Sequence, residues 1–368
     1  MAKVCDIGKF KNYTVPPNCI QLSSSKIKRG FLATKVLEPN NVKHWSPVLI
    51  LGNKRSGSHE AKPLLASFRK ILNPAQVVEL TEIPPEEALE WYRLVPNHVT
   101  CRVVAAGGDG TVCWIMNAIH KMKFKRDPEV AILPIGTGND LSFALGFGCK
   151  LRKKFNAAKY LDQLDKATST KLDRWQIQYF PPRNLLARAS KVDLHMNNYI
   201  GIGVDAQVSL NFHRFRESAS YIFNNRHFNK LMYLLYAMKA SIKNIQKYVD
   251  LYMDGVRVEL PKISAIVILN ISTYAGGAQP WDIGSGGACA PKQDISDGLL
   301  EVMCFKSSVH MGLVYIGLRE PLRLGQCSDI KLHLKKTVPM HVDGEPWEQD
   351  PGTITVTHSY QATVLVRN

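Results

Sequence analysis

The chain of 368 residues has only eight cysteines, and no two of them form a Cys-x-x-Cys pair. That spacing excludes a zinc ribbon and a thioredoxin-like redox motif. No signal-peptide pattern opens the chain, so the thiols are expected to be reduced and the protein cytoplasmic. The glycosylation-like triplets Asn12-Tyr13-Thr14 and Asn270-Ile271-Ser272 then carry no meaning. Long apolar runs are missing too: the densest, Leu231 to Met238, is far short of the roughly 20 residues that span a bilayer. No Gly-x-x-x-x-Gly-Lys-[Ser/Thr] occurs, nor a protein-kinase glycine loop with His-Arg-Asp and Asp-Phe-Gly, which excludes P-loop NTPases and protein kinases. There is no internal repeat and no low-complexity tract. Acidic residues are in deficit, 31 against 47 Lys and Arg, for a net charge of +16. The excess points to an anionic partner: nucleic acid, a phosphorylated ligand or an anionic membrane. Two basic clusters stand out, Lys26, Lys28 and Arg29, and Lys150, Arg152, Lys153 and Lys154; solvated loops account equally well for either one alone.

What is present is an ordered grammar, at a length comfortable for two domains. From Trp45 onward, strand-like Val48–Leu51 and Gln76–Leu80 alternate with a helical pattern at Leu64, Leu65, Phe68, Ile71 and Leu72. A further helix opens at Pro84-Pro85 and runs through Ala88, Leu89, Trp91 and Tyr92, with proline where the first turn tolerates it. The organising stretch is Val103 to Thr111: an apolar strand, then Gly107-Gly108-Asp109-Gly110-Thr111, then a helix with Ile115, Met116, Ile119 and Met122 on one face. The pattern returns in Val130–Ile135, followed by Gly136-Thr137-Gly138-Asn139-Asp140. Glycines at a strand-to-helix turn let backbone N–H groups approach an anion, and the helix dipole adds to the attraction. Two such turns after successive strands lie side by side if the strands are parallel neighbours. Asp109 needs a reason in a phosphate cradle: it works with a metal, takes a proton, or caps the helix.

After Lys171 the pattern changes to many strands with turns. Leu172–Tyr179 and Val256–Leu260 read as strands, Ile263–Ile271 is nearly all apolar, and Asp254-Gly255, Asp297-Gly298 and Asp343-Gly344 are placed as hairpin turns. One helical island, Asn229–Ile245, interrupts them. Gly201-Ile202-Gly203-Val204-Asp205-Ala206 mimics a dinucleotide fingerprint, but positions 221–226 offer no acid to hold a ribose. The fold expected is an open parallel α/β sheet domain followed by a mostly antiparallel β-sandwich.

Together the two glycine turns resemble those of the lipid-kinase superfamily of diacylglycerol, sphingosine and ceramide kinases; the first is also similar to that of NAD kinases. Val342-Asp343-Gly344-Glu345-Pro346-Trp347 is similar to the C-terminal signature of eukaryotic diacylglycerol kinases. Ile200–Ala206, Leu172–Trp175 and Asp297–Val302 resemble their accessory region, and Cys5–Asn12 with Pro16-Pro17 resembles the exit of a C1 domain. Asn211-Phe212-His213 and Tyr233–Tyr236 look most like the epsilon type. Three departures stand out: Lys54 replaces the proline of an Asn-Pro-x-Ser-Gly loop at Asn53–Gly57, Cys113 replaces a glycine, and Met253 and Ala265 replace Leu and Gly in a pattern tied to acyl-chain selectivity.

The resemblance implies residues 1–44 as an N-terminal extension, 45–170 as the catalytic domain with 340–368 returning to it, and 171–339 as the accessory domain. It implies ATP over Asn53, Arg55, Gly107, Gly108, Gly110, Thr111, Gly136, Thr137, Gly138 and Asn139. Mg²⁺ is expected at Asp140 and Asp343, Asp205 would face the lipid, and Asp109 or Glu345 would be the base. The implied reaction turns diacylglycerol into phosphatidic acid at a membrane, with an anionic lipid surface as partner and no nucleic acid. Sphingosine or ceramide phosphorylation is the alternative, and a catalytically silent nucleotide- or lipid-binding scaffold is the reading from another class.

Overall fold

A computed structural model of the protein describes residues 8–22, 33–40, 42–56, 61–136, 138–151, 155–182, 192–218, 242–283 and 291–367, with no side-chain detail at 212–218. Gly57, Thr137, Lys26–Arg29, Arg152–Lys154, Cys5–Ile7, Tyr233–Tyr236 and most of the helical island expected at Asn229–Ile245 lie outside the described residues. The chain divides into two compact units, 1–171 with 362–368, and 172–361.

The first unit opens with a small antiparallel pair, β1 (Ile20–Leu22) and β2 (Ala33–Val36). Then come β3 (Val48–Gly52), α1 (Ala61–Arg69), β4 (Val77–Glu79), α2 (Pro85–Leu89), β5 (Arg102–Gly107), α3 (Asp109–Met122), β6 (Glu129–Pro134), α4 (Asp140–Ala144) and α5 (Ala157–Asp165). The four strands β3 to β6 are parallel, in the order β4-β3-β5-β6. All of β3, and all but the first residue of β5 and of β6, are buried. Strands covered on both faces read as continuous apolar runs, which is how they appear in the sequence. Helix α1 packs with α5, and α2 with α3. The chain leaves β3 toward β4, then returns to place β5 on the other side of β3. The loops leaving β3 and β5 therefore diverge, the position at which open α/β sheets bind ligands.

The second unit contains β7 (Thr168–Phe180, from Leu172 on), β8 (Asp193–Met196), β9 (Tyr199–Gly203), α6 (Val204–Ser218), β10 (Val249–Met253), β11 (Val256–Val258), β12 (Ala265–Leu269) and β13 (Leu300–Phe305). It continues with α7 (Ser308–Tyr315), β14 (Leu322–Cys327), β15 (Asp329–Leu334), β16 (Val338–Val342), β17 (Glu345–Gln349) and β18 (Gly352–Val366, as far as Gln361). One sheet runs β11-β10-β15-β18, with β7 and β8 beyond; the other runs β14-β13-β12-β9-β16-β17 and is antiparallel throughout. One core joins both sheets, through Trp175, Ile202, Leu251, Ile266, Val302, Leu332 and Met340. A second cluster, with Val267, Phe305, Met311 and Val314, covers the other face of the β12–β13 sheet. That sheet is buried on both faces, which explains the unbroken run near Ile263–Ile271. The architecture is thus an open parallel α/β sheet unit plus an antiparallel sandwich.

Several expectations change on contact with the structure. The segment that rejoins the first unit is 362–368, not 340–368, because residues 340–349 are tied by β16 to β9 and by β17 to β16. Asp254-Gly255 and Asp343-Gly344 are two-residue hairpin turns with φ of 48° and 79°, and 49° and 83°. Asp297-Gly298 is instead a loop turn in which the Asp297 side chain accepts the Leu299 N–H and Gly298 N–H donates to Asp173. Helix α6 was hidden because Val204, Ala206, Val208 and Leu210, all buried, repeat every second residue, the signature of a strand.

Candidate active site

The ends of β3, β5 and β6 present three loops. Gly107 pairs in register with Pro134, and Ile135 N–H donates to the Gly107 carbonyl (3.1 Å). This stitching sets the two glycine turns side by side. A side chain at 136 would run into the Cα of Gly108 and lie 2.8 Å from Asn139 Oδ1, and one at 108 would meet the Cα of Gly136 at 3.2 Å. Backbone approach this close is available only to glycine.

Asn139 locks the second turn. It sits in the left-handed region (φ 57°), is buried, accepts the Gly136 N–H on Oδ1 (3.0 Å), and donates from Nδ2 to the carbonyls of Gly136 (2.8 Å) and Cys149 (2.9 Å). Asp109 links the turns. Its Oδ2 accepts the Asp140 N–H (3.1 Å) and its Oδ1 the Leu141 N–H (3.2 Å), so it caps α4 rather than its own helix. Asn53 Nδ2 donates to Thr111 Oγ1 (3.1 Å), and the Ser56 hydroxyl meets the same oxygen (3.1 Å). Arg55 is exposed, with its N–H on Asn53 Oδ1. Gly138 lies between the two acids: a side chain there would meet Asp109 Oδ2 at 3.3 Å and Asp140 Oδ2 at 3.7 Å. Asp140 itself is buried and Gly110 exposed. Helix α3, of 14 residues, begins at Asp109 with Gly108 as its cap. The first N–H groups of such a helix lack intrahelical partners and carry positive dipole, so this corner is built to receive an anion.

Asp205, Asp343 and Glu345 belong to the second unit. Asp205 is fully buried in the first turn of α6; its Oδ2 accepts the Tyr274 hydroxyl and meets His341 Nε2 at 2.6 Å. His341 stands opposite Gly201 in the β16–β9 register, and its buried Nδ1 meets no hydrogen-bond partner among the described residues. Asp343 accepts backbone N–H groups from Asn197 (2.9 Å), Asn198 (2.8 Å) and Tyr199 (3.1 Å). Burial pushes its carboxyl up, and those three bonds pull it back. Glu345 is exposed at the start of β17. His341 and Tyr274 had no assigned role in the sequence; the one available signal was that His341 stands two residues before Asp343.

Among the described residues no three His, Cys, Asp or Glu side chains gather into a metal cage. Mg²⁺ needs none: it keeps several waters and takes one or two carboxylates besides phosphate. Asp140, in the first unit, and Asp343, in the second, are each a carboxylate of the kind such an ion takes.

The diacylglycerol kinase catalytic domain matches residues 47–176, and the diacylglycerol kinase accessory domain matches residues 195–346. Between them they cover more than half of the chain, which belongs to the diacylglycerol kinase family. "Probable diacylglycerol kinase 3" of Caenorhabditis elegans is 33% identical over 100% of this chain and 51% of its own length. Diacylglycerol kinase theta of Mus musculus is 36% identical over 87% of this chain and 35% of its own. The chain thus spans about half or less of the length of these relatives. A crystal structure of a diacylglycerol kinase from Bacillus anthracis str. Sterne shares the fold, with TM-score 0.51 and 17% identity over 87% of this chain and 96% of that one.

Proposed function

We propose that the protein is an ATP-dependent lipid kinase that phosphorylates the sn-3 hydroxyl of 1,2-diacylglycerol to phosphatidic acid, and so attenuates diacylglycerol signalling. The observation that carries this reading is the close approach of Gly108 and Gly136, which bares a backbone corner at the N-terminus of α3. Phosphoryl transfer rests mainly on positioning and charge neutralisation. The residues of the two turns, with Asn53 and Arg55, would seat the ATP phosphates. Asp140 and Asp343 would hold Mg²⁺, which when bound neutralises phosphate charge. Asp109 takes the proton of the attacking hydroxyl as the new P–O bond forms and the bond to the ADP oxygen breaks; Glu345 is the other candidate base. Asp205, held by His341 and Tyr274, would take the lipid-facing role. Radiolabelled ATP with mixed micelles of diacylglycerol, sphingosine, ceramide or no lipid tests the assignment. Label in phosphatidic acid alone is expected; label in a sphingoid product, or in none, overturns it.

Among the described residues no helix is long and apolar enough to cross a membrane. A protein of charge +16 acting on a bilayer substrate would dock at the surface, drawn to anionic headgroups by about 1 kcal/mol per nearby Lys or Arg. Sedimentation with phosphatidylserine vesicles should weaken clearly from low to high salt as the Debye length shortens. Equal, salt-independent binding to neutral vesicles would refute electrostatic docking.

A further inference from the structure

The first unit contains a cavity of about 200 Å³ lined in part by the end of β6 and by α5. Its lining combines two chemistries. Lys150, Lys159 and Arg367 supply three positive charges; Phe147, Phe155 and Tyr160 supply aromatic wall. The rings form one cluster, with Phe147 and Phe155 centred 6.1 and 6.3 Å from Tyr160. The Tyr160 hydroxyl is spent on the Ile132 carbonyl (2.9 Å), so the ring is what it offers to the cavity. The three cations are different. Among the described residues none of them forms an ion pair. The first turn of α5 opens on the same space: Asn156, its cap, accepts the Lys159 N–H, and both residues line the cavity.

Like charges gathered on one concave surface repel each other and focus the field inside it, and a counter-anion relieves both effects. We propose that this cavity binds a phosphate monoester bearing a short apolar group. A monoester near neutral pH carries between one and two negative charges and three acceptor oxygens, a match for three cations. The aromatic wall takes the ester group. A whole nucleotide does not fit the size, since pockets for drug-sized ligands start at about 300 Å³. Such a ligand can come from two sources, the headgroup of an anionic lipid or a small soluble ester.

The site lies outside the machinery assigned above, so it can be tested apart from kinase activity. The full chain is titrated by calorimetry with hexyl phosphate, inorganic phosphate, hexanol and ATP. Hexyl phosphate should bind more tightly than inorganic phosphate, and hexanol should not bind. Lys159→Gln and Arg367→Gln should each weaken hexyl phosphate about tenfold, the scale of one charge-assisted hydrogen bond, with ATP affinity unchanged. Arg367→Lys should restore part of the loss. Neither change is expected to unfold the chain: Lys159 is exposed, and the bond Arg367 makes to the Leu145 carbonyl uses its backbone N–H. A variant deficit on phosphatidylcholine vesicles carrying phosphatidic acid supports the lipid source; retention there with loss of hexyl phosphate binding supports the soluble ester. Unchanged hexyl phosphate affinity in both variants, or its displacement by ATP, overturns the proposal.

Discussion

In the first unit the groups that define the candidate site are largely backbone. Two turns touch through glycine Cα atoms, and Asn139 and Asp109 spend their side chains on main-chain partners. In the second unit the acids are held differently: Asp205 by a phenol and an imidazole, Asp343 by three amides, and Glu301, nearly fully buried, by the Gln293 and Gln326 amides. A backbone site fails by steric intrusion and is indifferent to pH in the physiological range. A site of buried acids fails by loss of charge pairing and responds to pH.

The largest effect is expected where backbone meets backbone. Gly136→Ala sets a methyl against the Cα of Gly108, so the turns must separate. Lipid phosphorylation should fall to background, with stability lower by about 1–3 kcal/mol, the usual cost of overpacking. Turnover and thermal melting on one preparation check this; near-normal turnover in a folded variant would show that the close approach is not what seats phosphate.

Next come the two candidate bases. Asp109→Asn should slow turnover by roughly 10²–10⁴, the usual scale for a general base. It should also cost about 1 kcal/mol, because an amide caps α4 less well than the carboxylate that now accepts two N–H groups. Glu345→Gln, at an exposed strand start, should leave melting unchanged. If Glu345→Gln is inactive while Asp109→Asn turns over normally, the base lies in the second unit.

How much of this was legible in sequence follows the same division. The glycine turns were legible because their partners are local: a strand, a turn and a helix within about ten residues, twice over. The neighbours of Asp109 were not, since the N–H groups it accepts lie beyond a second strand. In the second unit the hairpin at Asp343-Gly344 was readable from its two turn residues. The bonds of Asp343 to Asn197, Asn198 and Tyr199 were not, because they depend on which strand β16 chooses as neighbour. Helix α6 was lost to an alternating pattern, and with it the fact that Asp205 begins a helix.

A moderate effect should separate the units by pH. Burial pushes the Glu301 carboxyl up to about 7 from 4.5, with the Gln326 and Gln293 amides opposing. Because the folded value lies above the unfolded one, the native state binds the extra proton between those limits. Stability is therefore fullest below pH 4.5, falls as pH rises toward 7, and is flat above. At about 1.4 kcal/mol for each pH unit between those limits, the whole change is on the order of 3 kcal/mol. Thermal melts at pH 5 and pH 8 should show it in the native protein, with the pH 8 penalty relieved in Glu301→Gln, where Gln326 can flip its amide to keep a partner. A variant that melts below the native protein at pH 8 would mean that Glu301 is stabilised as a carboxylate.

The smallest effect concerns Cys113, which stands where the sequence resemblance implies a glycine. It is half-buried in α3, four residues past Asp109, and its sulfur accepts a long contact from Asn117 Nδ2 (3.8 Å), one turn further along the same helix. The pull of a helix N-terminus on an anion fades within the first turn, so a residue in the second turn has little hold on bound phosphate. What position 113 does govern is the helix itself. Glycine in a helix interior costs up to about 1 kcal/mol through backbone entropy. Cys113→Gly should therefore lower stability by a fraction of a kcal/mol to about 1 kcal/mol and leave the KM for ATP unchanged. Steady-state kinetics beside a denaturant melt can read both. A several-fold change in that KM would place Cys113 in the nucleotide site after all, and would turn this departure from the family wording from a helix substitution into a determinant of phosphate binding.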